Sequence, residues 1–160
     1  MLTNNSINSS QVAFSAYKDS PTADVTGDGS SYDVICNQIV FDTTEGGYNT
    51  ATGVFLVPIS GTYFFNASTL LTSIGALHTS AYIEINNVTS GHILNCNTIN
   101  AAAVRTASDE LSLSAKGVMV ASTGDAIKLT IKVSNSTLTV ALFGAAPADQ
   151  KTWFEGYLLS

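Results

Sequence analysis

The sequence predicts an all-β sandwich or barrel in a single domain, and three observations carry that prediction. Apolar side chains recur with a period of two in a series of short runs, the spacing of a strand that buries one face. Gly, Asn, Asp, Ser and Pro separate these runs at regular intervals, and no stretch keeps the helical period of about 3.6 residues. The composition agrees: 12 Asn, 19 Ser and 19 Thr in 160 residues, with only 11% charged, supply strands and turns far better than surface helices. At this length a chain buries roughly 70% of its unfolded surface, enough for a core without disulfide or metal staples.

Taken in order, the strands are expected at residues 11–17, 62–67, 80–85, 111–115, 126–133, 136–142 and 152–159. The clearest is 126–133, where Ile127, Leu129, Ile131 and Val133 share one face and Lys128, Thr130 and Lys132 the other. Turns are expected at 26–29, 45–47, 58–61, 86–87, 122–125 and 134–135. Residues 1–10 are polar and unpatterned and read as an N-terminal arm, leaving residues 11–160 as the domain.

Charge excludes one class of partner. Six Lys and Arg against 12 Asp and Glu give a net charge of −6, so no basic surface exists to neutralise a row of phosphates, and a nucleic-acid binder is ruled out. No apolar run approaches the ~20 residues of a membrane span, and insertion into a membrane is not expected. Met1-Leu2-Thr3-Asn4 opens no basic region followed by an apolar core, so no secretory signal is expected either.

Residues with the means for chemistry are few. Cys36 and Cys96 are too sparse for a disulfide framework or a zinc site, and read as two free thiols or one disulfide. His78 and His92 come without a Gly-x-Ser-x-Gly elbow and read as surface or loop histidines. Asp24-Val25-Thr26-Gly27-Asp28-Gly29 starts like a calcium loop, but Ile35 stands where a bidentate Glu is required; a turn is the expected purpose and calcium the alternative. Asp109 and Glu110 are adjacent and would point to opposite faces of a strand, which does not suit glycosidic hydrolysis. Five Asn-x-Ser/Thr triplets begin at Asn4, Asn8, Asn66, Asn87 and Asn135, a number the composition alone explains. No catalytic, cofactor or metal residue is therefore assigned.

One ordered set of phrases rises above this background. Val12-Ala13-Phe14-Ser15-Ala16-Tyr17 is followed by Val25-Thr26-Gly27-Asp28-Gly29-Ser30 and by Ile39-Val40-Phe41-Asp42. Then come Tyr48-Asn49, the succession Gly53-Val54-Phe55-Leu56-Val57-Pro58-Ile59-Ser60-Gly61-Thr62-Tyr63-Phe64-Phe65, Thr123-Gly124-Asp125-Ala126, and a terminal Trp153-Phe154-Glu155-Gly156-Tyr157-Leu158. In order and spacing this resembles the C1q-like domain, a relative of the tumour necrosis factor-like jelly rolls, over residues 11–160. The resemblance implies a ten-stranded antiparallel jelly-roll sandwich that assembles as a homotrimer, with apolar residues around the three-fold axis. Phe55, Tyr63, Phe65 and Phe154 suit the space between two sheets, and Gly61 and Gly156 a tight turn and a close approach of strands. Tyr82, Tyr157 and Leu158 are candidates for burial against neighbouring copies.

The Val25–Ser30 phrase and its Asn/Ser/Thr-rich setting look most like C1q-like domains of bacteriophage and bacterial surface proteins. That likeness implies a non-enzymatic virion component, either a capsid decoration or cement protein or a fibre or tail-needle knob, whose partners are shell or stalk proteins. The alternative is a soluble or cell-surface module that binds glycans or a protein receptor. Its contacts are expected from loops around Gly46-Gly47, Asn86-Asn87, residues 95–100 and residues 145–150.

Overall fold

Most of the alternating runs pair into antiparallel strands, and these close into two facing sheets. The computed structural model describes residues 12–44, 46–95 and 98–160; the expected arm at residues 1–10 and Cys96 lie outside them. The strands are β1 (Ala13–Tyr17), β2 (Thr22–Thr26), β3 (Ser31–Asp33), β4 (Gln38–Asp42), β5 (Tyr48–Asn49), β6 (Val54–Leu56) and β7 (Gly61–Thr72). They continue as β8 (Ser80–Asn87), β9 (His92–Asn95), β10 (Leu111–Ala121), β11 (Ala126–Ser134), β12 (Val140–Leu142) and β13 (Trp153–Leu158).

The first sheet runs β10-β7-β13-β1-β4 and the second β5-β6-β11-β8-β9. These ten strands are the jelly roll. Three short segments are added to it. On the side of β7 that carries β13, β12 takes over at Leu71 and Thr72 and brings β2 with it, while β3 joins β11 beyond β6. The first and last strands are neighbours, Ala13 opposite Tyr157 and Phe14 opposite Gly156.

Period-two alternation supplies the core. From the second sheet Ile83, Ile85, Ile127, Leu129, Ile131 and Val133 point inward and are fully buried. From the first, Phe14, Tyr63, Phe65 and Phe154 meet them together with Phe55. The Phe14 and Phe55 rings stack with centroids 4.4 Å apart, and Phe154 stands edge-on to Phe14 at 5.1 Å. Gly156 makes room for this arrangement: a Cβ there would lie 2.5 Å from the Phe65 ring and 2.9 Å from that of Phe14. The phenol of Tyr63 is satisfied by donating to the Ile59 carbonyl at 2.7 Å.

Strands β2, β3, β4, β5, β6 and β9 lie outside the expected runs, β7 runs on to Thr72 and β8 to Asn87, and three further elements differ from expectation. Residues 136–139 do not join a strand, because Asn135 turns the chain at positive φ (78°) and Ser136 N–H donates to Gly27; only Val140–Leu142 pair. β10 extends to Ala121, since Gly117 takes an inward position that Leu94 covers from β9. A single helical turn, α1 (Ala101–Val104), is set by Asn100, whose side chain accepts the Ala103 N–H; one turn is too short to leave a period in the sequence.

Burial sets the first prediction. Tyr63→Ala is expected to lower unfolding free energy by about 3–5 kcal/mol, read from urea denaturation, because a fully buried ring leaves a cavity that two sheets cannot close. A loss below about 1 kcal/mol would place the ring at the surface and contradict the facing of β7.

Candidate functional site

Among the described residues the outward face of the first sheet is left uncovered. Strand β7 carries Tyr63, Phe64 and Phe65 in succession, so Phe64 must point away from the core that its two neighbours fill. Val118 pairs opposite Phe64 on one side and Tyr157 on the other, which lines the three up across β10, β7 and β13. The Phe64 and Tyr157 rings lie 5.4 Å apart at 41°. Val120, 71% exposed, and Tyr157, 45% exposed, continue into Leu159 at the same end of the face. One row further along, Lys116, Asn66 and Glu155 stand in register, and the Asn66 amide donates to Glu155 Oε1 at 3.0 Å. At the far edge Ile39, Val40 and Phe41 of β4 are also exposed.

Of the residues expected to meet neighbouring copies, Tyr157 is on this face. Leu158 is not: alternation turns it inward, where it is buried against the core. Tyr82 lies on the outward face of the second sheet, opposite Lys132. Phe64, Val118, Val120 and Leu159 were not singled out from the sequence. Their signal was the unbroken apolar runs Tyr63-Phe64-Phe65 and Val118-Met119-Val120, which mark strands apolar on both faces.

The expected contact loops fare unequally. Asn86 and Asn87 are inside β8, not in a loop, and Asn87 is fully buried. Its amide donates to Asp125 Oδ2 at 2.7 Å, and its Oδ1 accepts from the N–H groups of Thr89 and Ser90. Asn95 ends β9 and Asn100 caps α1. Gly46 is open to solvent, and residues 145–150 form an exposed stretch around a 3-10 turn at Pro147–Asp149.

No side chain with chemistry is placed for catalysis by the described residues. His78 is only 2% exposed, a loop residue but not a surface one. Its Nδ1 accepts the Gly75 N–H at 2.8 Å and Nε2 lies 3.3 Å from the Thr137 carbonyl, so the ring ties two loops together. His92 is exposed at the start of β9. Asp24 lies within β2 at positive φ (53°), in the irregular stretch opposite Ala141, and Asp28 accepts from the Ser30 N–H. Asp109 and Glu110 precede β10 instead of lying in it, and Asp109 pairs with Arg105 at 2.8 Å. Among the described residues no three His, Cys, Asp or Glu side chains gather as a metal centre would require. Of the triplet asparagines, Asn66 is held by Glu155, Asn87 is buried, and Asn135 is exposed with its amide on Thr79; Asn4 and Asn8 lie outside the described residues.

Cys36 is buried, and its N–H donates to the Tyr48 phenol at 3.1 Å; burial pushes the thiol up to about 12. Four carboxyls, Asp19, Asp28, Asp42 and Asp125, are shifted the other way. Hydrogen bonds from the Ser122 N–H and the Asn87 amide hold Asp125 below the usual carboxylate range. Burial raises Asp42, but the Thr44 hydroxyl and the N–H groups of Tyr48 and Thr44 outweigh it and leave that carboxyl low as well.

The described residues thus form a two-sheet antiparallel jelly roll with an apolar row on an outward face. The comparisons narrow this. A model of the C1q domain matches residues 13–159, and the chain belongs to the C1q domain family. The globular domain of zebrafish complement 1qA is 16% identical, with 93% of this chain and 98% of that one covered at a TM-score of 0.51. Murine APRIL is similar at 16% identity over 92% and 98% of the two chains, TM-score 0.55. The Eiger TNF of S. frugiperda is similar at 12% identity over 93% and 92%, TM-score 0.59. At such identities these structures share the fold. Among curated protein sequences none matches this chain significantly.

Two predictions rest on these environments. Cys36 is expected to resist iodoacetamide in the native protein at pH 8 and to react fully in urea, followed by peptide mass spectrometry; rapid native labelling of Cys36 would contradict its burial. Asp42 and Asp125 have folded values below the unfolded one, so their stabilisation is complete above about pH 4 and is lost as pH falls through the lower folded values. The urea midpoint should therefore hold from neutral pH to about 5 and then drop, with a shallower acid drop in Asp42→Asn and Asp125→Asn. An unchanged acid profile in both variants would contradict the assignment.

Proposed function

We propose that this chain works as a non-catalytic homotrimer, three jelly rolls packed through the outward faces of their first sheets, that recognises a protein or glycan on an exterior surface. The observation that carries the reading is the apolar row of Val118, Phe64 and Tyr157, flanked by Val120 and Leu159, on a chain with little charge to spare. An exposed patch of this kind marks an association surface, and family resemblance is the reason for three copies. Loops rich in Asn, Ser and Gly, such as the one around Gly46 and residues 145–150, supply adaptable hydrogen bonds at the ends of the assembly. The finer placement is on a virion, as capsid decoration protein or fibre knob. The Val25–Ser30 phrase and the neutral, hydroxyl-rich surface support it.

Light scattering over a dilution series tests the assembly. The expected mass is three times 16.7 kDa, and Val118→Asp, which sets a charge in the middle of the apolar row, is expected to yield a folded monomer. A monomeric wild-type chain, or a trimer indifferent to Val118→Asp, would overturn the reading.

A further inference from the structure

We propose that Lys116 of one copy pairs with Glu155 of the next, and that this pair sets the register in which the copies pack. The inference rests on the assembly read above and asks what orients it. On the outward positions of β10, β7, β13 and β1 every side chain is uncharged except these two. They stand in one row, separated by Asn66, with the row of Val118, Phe64 and Tyr157 on one side and that of Ser114, Ser68 and Trp153 on the other.

Among the described residues neither charge has an ion-pair partner; the pairs present are Arg105 with Asp109, Lys128 with Asp33 and Lys151 with Asp149. Glu155 receives the Asn66 amide on Oε1, and that neutral bond orients its carboxylate without neutralising it. Two strand spacings, about 10 Å, separate the Lys116 and Glu155 backbones, and Asn66 occupies the gap.

Covering the face removes water from both charges, and an unpaired buried charge is among the costliest defects an interface carries. The two signs are complementary, so a second copy supplies the missing partner at no cost in composition. The geometry suits a head-to-tail contact: Lys116 sits on β10, an edge strand of the sheet, while Glu155 lies toward its middle on β13. Laying the edge of one copy over the middle of the next brings the two together once per interface. A slip of the contact by one row exchanges Glu155 for Tyr157 or Trp153, neither of which carries a charge, so the pair discriminates against wrong registers as a single buried polar residue does in other assemblies.

Charge reversal tests this on the full chain. Lys116→Glu, Glu155→Lys and the double variant are compared with wild type by light scattering across dilution, with circular dichroism as a check of folding. Each single reversal is expected to shift the dissociation midpoint to at least about tenfold higher concentration, and the double variant to return within about threefold of wild type. The two singles move net charge in opposite directions, so weakening in both has only a local explanation. A wild-type chain that stays monomeric throughout overturns the assembly reading and this pair with it. A wild-type oligomer indifferent to the single reversals, or not restored by the double, overturns the pair alone and leaves Lys116 as a charge that keeps an edge strand from pairing.

Discussion

Six rings from both sheets, Phe14, Tyr48, Phe55, Tyr63, Phe65 and Phe154, share one space, and the fold depends on their fitting there. They fit because Gly156 has no side chain where the Phe65 and Phe14 rings pass over β13. That contact fixes which way β13 faces. With Gly156 turned inward, alternation leaves Glu155 and Tyr157 no choice but to point out. The packing of the interior thus determines the chemistry of the exterior, and a single frame carries both.

What results is a sheet with an apolar inner face and an apolar row along its outer one. The second sheet covers the inner face; nothing in the chain covers the outer one among the described residues. A sequence with so few charges has little means of making such a face soluble, and this one leaves a valine, a phenylalanine and a tyrosine in line across three strands. In the proposed trimer the cost of exposing them, moderate for each side chain, falls for all three together, and this links the proposed assembly to the fold. Buried polar groups, by contrast, act locally. His78 ties loops at one end, and the Asn87–Asp125 pair locks the turn between β10 and β11; both are complete within the chain and ask for no partner.

Much of this was legible in the sequence. Alternation located the long strands, and the four rings named from the Phe-x-x-Pro-x-x-Gly-x-Tyr-x-Phe succession and the terminal Phe-x-Gly-Tyr are all fully buried. The outward face was legible only in part. Tyr157 was picked out, whereas Leu158 was assigned to the surface because adjacent apolar residues at the end of a strand do not say which of them faces in until a neighbour, here Gly156, is placed. Asn86-Asn87 read as a turn because Asn favours turns, yet the buried Asp125 carboxylate gives Asn87 a partner inside β8. Residues 136–142 alternated well enough for a strand after the turn expected at 134–135, but Ser136 N–H donates to the Gly27 carbonyl and Thr139 N–H to that of Thr137, so the chain pairs only from Val140.

Whether the outer face is covered in solution is the claim on which the rest turns, and hydroxyl-radical footprinting reads it residue by residue. Leu77, 68% exposed in the connection between β7 and β8, serves as the internal reference. The account predicts that Val120 and Tyr157 are oxidised far more slowly than Leu77 in the wild-type protein, although the single chain leaves all three open. Oxidation of Val120 and Tyr157 at rates set by their exposure in the isolated chain would contradict it.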